Sequence, residues 1–286
     1  MHSNGRRAGI LAILVLGSFA PAGAVEPSAA VTPWVEAQAA RVRLLAGADA
    51  AHPGKALLAG VEITMAEGWK TYWRNPGEAG VPPSFDWSGS SNTASIKVVY
   101  PAPMRLVDPA AEMIGYKTSV LFPIEVTPKV AAEAVELRLA LEFAVCREIC
   151  IPAQASLALT VPPAPTAGAP APAIAAALER VPRVQAKRRA GDPKLLGVTP
   201  KLAGPSPSLE IEAKFPGDGA GADVFIDAPD GIFVPMAKKL AGGSDGQVRF
   251  LVDLSRGGTA EDLKGKELIV TLVSDSGASE ASVRLD

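Results

Sequence analysis

The chain carries two cysteines, Cys146 and Cys150, at the end of the stretch Leu137–Pro152. Thiols this close can close a disulfide, exchange disulfides with another protein, or hold a soft metal ion. Fully extended, the chain between them covers roughly 13 Å, whereas a disulfide needs its Cα atoms about 4.4–6.8 Å apart. A bond therefore requires Arg147-Glu148-Ile149 to fold back as a turn or a single helical turn. Across so small a loop the bridge contributes on the order of 2 kcal/mol by chain entropy, near the low end for disulfides, which makes a purely structural staple a poor explanation. Neighbouring charge does not choose among the three chemistries, since Arg147 favours a thiolate and Glu148 opposes it.

Other site classes find little support. Once an N-terminal leader is removed, His52 is the remaining histidine. It stands beside Pro53-Gly54 and reads as a turn residue, a poor base for a Ser-His or Cys-His hydrolase. No phosphate-binding or dinucleotide-binding glycine pattern is present, and the acidic residues are scattered. Cu(I) could sit between the two thiolates with a thioether from Met65, Met104 or Met113. Zinc wants four ligands, and no second Cys/His cluster exists. Neither a resident metal nor a cofactor is expected. The C-x3-C spacing differs from the C-x-x-C of thioredoxin folds, and no βαβ pattern surrounds it. On spacing alone, redox exchange, a structural bridge and metal binding all stay open.

The elements that must position this pair read as β-strands. From Leu137 to Val145 every second residue is apolar, with Arg138 and Glu142 between, the mark of a half-buried strand with the cysteines at its end. Cys146 follows the core-facing Val145, so Cys150 is expected to be the more exposed. Gly60–Met65, Ile96–Tyr100, Ser119–Val126 and Ser156–Val161 read as further strands, separated by Gly/Pro/Asn/Asp clusters in the manner of an all-β sandwich. The segment Trp34–Leu45 reads as a short helix or a lead-in strand. A Pro/Ala tract, Val161–Pro172, then forms a stiff spacer. Ile174–Val181 has helix-favouring composition and stops at Pro182. Strand patterns resume at Leu209–Phe215, Asp223–Ile226, Val248–Leu254, Glu267–Val273 and Ala281–Leu285, enough for a second sandwich that contains no cysteine, histidine or tryptophan. The expected domains are 1–24 a signal peptide, 30–162 the sandwich with the cysteine pair, 163–191 linker and short helix, and 192–286 the second sandwich.

The leader expectation rests on Arg6 and Arg7 before the apolar run Ala8–Leu16, with Ala22-Gly23-Ala24 as a small-residue cleavage site. Cleavage removes two arginines and no acid, leaving the chain more acidic than its formal charge of −2. Such a chain has no electrostatic reason to seek nucleic acid or an anionic membrane. No later run is long and uncharged enough to span a bilayer, so an exported protein in an oxidising compartment is expected.

Aromatic side chains crowd Gly68–Pro83, where Trp69, Tyr72 and Trp73 precede the Gly/Pro-rich run Asn75-Pro76-Gly77-Glu78-Ala79-Gly80. Two roles compete for them: filling the sandwich core, or covering and presenting the cysteines as a partner-binding loop.

Three stretches carry a family resemblance: Gly68–Gly80, then Tyr100-Pro101-Ala102-Pro103 with Ile114-Gly115-Tyr116, then Val145–Pro152. Together they make the first domain, from about Trp34 to Pro162, resemble the periplasmic N-terminal domain of thiol:disulfide interchange proteins of the DsbD/ScsB type, and the cysteine spacing looks closer to the ScsB-like branch. The resemblance implies an all-β chain of two immunoglobulin-like sandwiches and a periplasmic location. It implies a thiol-disulfide oxidoreductase function with Cys146 and Cys150 as the working pair, and Trp69, Tyr72, Trp73, Asn75 and Tyr116 as the cap or partner-binding set. Thioredoxin-like periplasmic proteins are the implied partners. Since the chain ends at Asp286 without a membrane or thioredoxin-like domain, a separate membrane or thioredoxin-like donor is expected to recharge it. A noncatalytic binding or assembly module and a copper-handling protein remain the alternatives.

Overall fold

The computed structural model describes residues 30–48, 57–108, 111–163, 171–219, 221–241, 245–255 and 259–285. The expected leader, His52 and most of the Pro/Ala tract lie outside them. Among the described residues no helix is long and apolar enough to cross a membrane.

The chain folds as two β-sandwiches in tandem. The first is built from β1 (Ala30–Val31), β2 (Val35–Ala37), β3 (Ala40–Ala48), β4 (Leu57–Met65), β5 (Lys70–Gly77), β6 (Ser84–Asp86), β7 (Thr93–Val98), β8 (Met104–Val107), β9 (Glu112–Lys117), β10 (Ser119–Pro128), β11 (Val135–Cys146) and β12 (Cys150–Val161). One sheet runs β1-β3-β4-β10-β7 with β2 on β3, and the other runs β12-β11-β5-β9-β8 with β6 on β11. After helix α1 (Ala171–Glu179) come β13 (Arg183–Val184), β14 (Lys194–Lys201), β15 (Ser208–Lys214), β16 (Asp223–Asp227), β17 (Lys238–Lys239), β18 (Gln247–Asp253), the short helix α2 (Thr259–Asp262), β19 (Glu267–Ser274) and β20 (Gly277–Arg284). They form two four-stranded sheets, β13-β20-β19-β16 and β14-β15-β18-β17.

Alternation decides which side chains enter the first core. Val135, Leu137, Leu139, Leu141, Phe143 and Val145 of β11 meet Val42, Leu44, Val61, Ile63, Phe122 and Ile124 from the opposite sheet. Trp34–Leu45, open between helix and strand, belongs to the β2–β3 hairpin, whose turn places Gln38 at φ 59°. Lys70–Gly77, read from its Asn-Pro-Gly as the start of a loop, is a strand whose first three residues pair with β9. Helix α1 packs back on the outer face of the first sheet, where Ile174 sits among Leu45, Leu58 and Leu121.

The two sandwiches touch through specific side chains. Phe225 of β16 is buried in the core of the first sandwich, with its ring centroid 6.0 Å from that of Trp73. Arg105 of β8 donates to both carboxylate oxygens of Asp223, at 3.0 and 2.6 Å, and to the Ala237 carbonyl at 3.0 Å.

Candidate functional site

The cysteines close the β11–β12 hairpin. Cys146 and Cys150 are register partners with Cα atoms 4.1 Å apart and are joined by a disulfide. Arg147-Glu148-Ile149 folds back between them as a turn, with the Arg147 amide donating to the Ile149 carbonyl at 3.2 Å. The pair is asymmetric: Cys146 is 2% exposed and Cys150 lies open to solvent beside Ile149, itself 68% exposed.

Strand pleating places the disulfide on the outer face of its sheet. Val145 and Phe143 enter the main core, so Cys146 and Ala144 point the other way. There they form a small separate cluster with Tyr72, Leu106 and Met113. Tyr72 is fully buried although it stands on this outer face. Its cover is the segment after β5: a Cβ added to Gly80 would lie 2.3 Å from the Tyr72 ring, and Gly80 has φ +122°, a conformation that favours glycine.

The Tyr72 hydroxyl is the polar centre of the site. Its oxygen lies 2.7 Å from Cys146 Sγ, 3.1 Å from Cys150 Sγ and 3.6 Å from Met113 Sδ. Disulfide and thioether sulfurs carry no proton, so the phenol donates to them. Burial, reinforced by the Asp108 carboxylate, raises the Tyr72 pKa above its ordinary value, which keeps the proton on the phenol across the physiological range. Lys70, the register partner of Cys146, is buried and ion-paired with Asp108. This ion pair stands on the strand beside Cys146.

The five aromatic-loop residues separate into distinct places. Tyr72 meets the sulfurs. Trp73 and Tyr116 face the core instead, Trp73 with no exposed surface and Tyr116 donating to the Pro101 carbonyl at 2.8 Å. Both are buried in the core, away from the sulfurs' face of the sheet. Trp69 packs half-buried against the same core. Asn75 reaches the second sandwich, donating to the Ile226 carbonyl at 2.8 Å. Sequence reasoning missed Lys70, Asp108 and Gly80, and had Met113 only as a thioether. A strand face periodicity through Lys70 and Tyr72 was the available signal for Lys70. Among the described residues no group of three or more His, Cys, Asp or Glu is placed to hold a metal ion.

The site is thus a strand-end disulfide resting on a buried tyrosine, carried by an all-β sandwich. Residues 41–162 match the family described as the N-terminal domain of the thiol:disulfide interchange protein DsbD. That match spans the first sandwich, the region in which the three sequence stretches carry the resemblance. The whole fold is similar to the crystal structure of the N-terminal periplasmic domain of ScsB from Proteus mirabilis, with a TM-score of 0.69 and 23% identity over 90% of this chain and 99% of that one. No curated protein matches the chain in sequence.

Proposed function

We propose that the protein is a periplasmic thiol-disulfide exchange protein that passes reducing equivalents between a redox partner and client proteins through Cys146 and Cys150. The observation that carries this reading is the asymmetric pair under the Tyr72 hydroxyl, with one sulfur accessible and the other buried. The Cys150 thiolate of the reduced form attacks a partner disulfide, forming a mixed disulfide and releasing one partner thiolate. Cys146 then attacks Cys150 Sγ, the second partner thiolate leaves, and the internal disulfide re-forms. Two electrons pass to the partner, and the released thiolates take up the two protons given up by Cys146 and Cys150. Recharging reverses these steps with a dithiol donor, a separate membrane or thioredoxin-like protein. Clients are thioredoxin-like proteins of the same compartment, in keeping with the family of the first sandwich and the leader-like start of the chain.

The buried phenol supports the chemistry. Its bond to a thiolate is charge-assisted and stronger than its bond to a disulfide sulfur, so Tyr72 favours the reduced pair.

Trapping tests the scheme. Cys146→Ser should accumulate a mixed disulfide through Cys150 with a thioredoxin-like protein, whereas Cys150→Ser should form none. Failure of both variants to trap while the wild type exchanges would rule out the two-step route. Tyr72→Phe should make the potential of the pair about 30–60 mV more negative, the equivalent of one charge-assisted hydrogen bond. Equilibration in graded thiol buffers reads it.

A second reading, Cu(I) capture by the reduced pair, has one observation in its favour: Met113 Sδ shares the Tyr72 hydroxyl with both cysteine sulfurs. Stoichiometric Cu(I) titration of the reduced wild type against Met113→Leu separates it from exchange, because exchange does not need the thioether.

A further inference from the structure

We propose that the second sandwich is a positioning part of the exchange site, holding the Tyr72 hydroxyl on the two sulfurs through Asp227 and Glu280. This rests on the exchange reading above. The β5–β9 ladder contains a fault. Pairing runs from Lys70↔Lys117 to Tyr72↔Gly115 and resumes only at Gly77↔Met113. Trp73–Pro76 thus stands opposite Ile114 alone, a bulge whose backbone the ladder does not hold, and Tyr72 is the last paired residue before it.

The second sandwich holds that bulge instead. Arg74 donates to Asp227 Oδ2 from Nε at 3.0 Å and from Nη2 at 2.8 Å, and to Glu280 Oε2 at 2.7 Å. Its guanidinium lies over the Trp73 ring, 4.1 Å from the centroid. Asn75 spans the gap: its Nδ2 donates to the Ile226 carbonyl at 2.8 Å, and its Oδ1 accepts from the Gly77 amide at 3.1 Å. Immediately beyond Gly77 the chain turns over the Tyr72 ring at Gly80. The bulge on the C-terminal side of Tyr72 therefore takes its position from contacts made by the other sandwich, whereas the cover beyond it is tied to β9, with the Glu78 amide donating to the Glu112 carbonyl at 3.0 Å. A hydroxyl that must lie within hydrogen-bond distance of two sulfurs is sensitive to shifts well under 1 Å.

Interdomain contact and site positioning are separable, because Arg105–Asp223 joins the same two sandwiches from β8 without touching β5. Asp223→Asn serves as the control. The full chain is equilibrated with reduced and oxidised glutathione, and the exchange constant of Cys146–Cys150 is measured by counting free thiols. The double variant Asp227→Asn/Glu280→Gln should shift that constant by roughly threefold or more towards the Tyr72→Phe value, and should add nothing in a Tyr72→Phe background. Asn75→Ala should shift it in the same direction and serves if the double variant does not fold. Asp223→Asn should lower the unfolding temperature and leave the constant unchanged. The proposal is overturned by an unchanged constant in a clamp variant with a lowered unfolding temperature. An equal shift on top of Tyr72→Phe, or a matching shift from Asp223→Asn, also overturns it. A wild type that fails to exchange with glutathione at all overturns the exchange reading itself, and is recognised from the wild type alone.

Discussion

The first sandwich holds both cysteines, all four tryptophans and all three tyrosines; the second holds none of these, although it too packs two sheets around an apolar core. Within it Phe215 and Phe250 pack with ring centroids 6.1 Å apart. The first needs polar-tipped aromatics because it has work on both faces of one sheet: Trp73 and Tyr116 fill the inside, while Tyr72 serves the sulfurs outside. A sandwich that only supports another can be built from Leu, Ile, Val and Phe. Shared architecture therefore says little about chemistry, which resides where a strand turns an extra layer of side chains outward.

Phe225 couples the two sandwiches most directly. It belongs to β16 of the second sandwich yet lies in the first core at 1% exposure. Phe225→Ala should cost about 3–5 kcal/mol, typical of a buried phenylalanine, and should split unfolding into two steps. Tryptophan fluorescence reports the first sandwich alone and calorimetry reports both. Phe250→Ala, a truncation inside the second core, should cost a similar amount while leaving the tryptophan transition of an uncoupled first sandwich in place. If Phe225→Ala and Phe250→Ala give the same single shifted transition, the two sandwiches are one folding unit and the division is only topological.

Alkaline pH should sharpen the division by a smaller amount. Burial raises the pKa of Tyr72, Tyr100 and, most strongly, Tyr116 above the ordinary value near 10. Above that value the folded chain binds more protons than the unfolded one, so stability falls as pH rises, by up to about 1.4 kcal/mol per pH unit per tyrosine. Below it these phenols are protonated in both states, and no such loss occurs. The second sandwich has no tyrosine, and its methyl NMR signals at Ile211 and Leu268 should persist after tryptophan fluorescence reports unfolding of the first. Simultaneous loss of both signals would show that the interface, not the cores, sets alkaline stability.

Much of this plan was legible in the sequence. Alternation from Leu137 to Val145 placed β11 and the cysteine pair at its end, and the turn required of Arg147-Glu148-Ile149 is the turn observed. Exposure of Cys150 over Cys146 followed from the same alternation. The site around the sulfurs was less legible, because its members are distant in the chain and close in space. Asp108 reaches Lys70, and Gly80 covers Tyr72, only once β5, β9 and β11 are side by side. Asn75-Pro76-Gly77 has the composition of a turn, so the strand Lys70–Gly77 read as a loop. The bulge there answers to partners more than 150 residues away, Asp227 and Glu280, and no local pattern can announce them.

The smallest effect is a deliberate null. Arg249 and Glu210 form an ion pair across β15 and β18 of the second sandwich at 3.1 Å, with side chains 47% and 41% exposed. Arg74 has a similar carboxylate geometry but is 28% exposed, against partners at 17% and 25%. Exposed pairs give up little water and are screened by salt, so they contribute between nothing and about 1 kcal/mol. Arg249→Gln should therefore change stability by less than about 0.5 kcal/mol, and 1 M salt should shrink the difference further. Arg74→Gln removes a guanidinium from two partly buried carboxylates, and Asp227, whose pKa burial already raises despite Arg74, is left without its main counter-charge. A cost for Arg249→Gln equal to that for Arg74→Gln would mean that the interface ion pairs are ordinary surface pairs, and that the apolar contacts around Phe225 and Trp73 carry most of the joint.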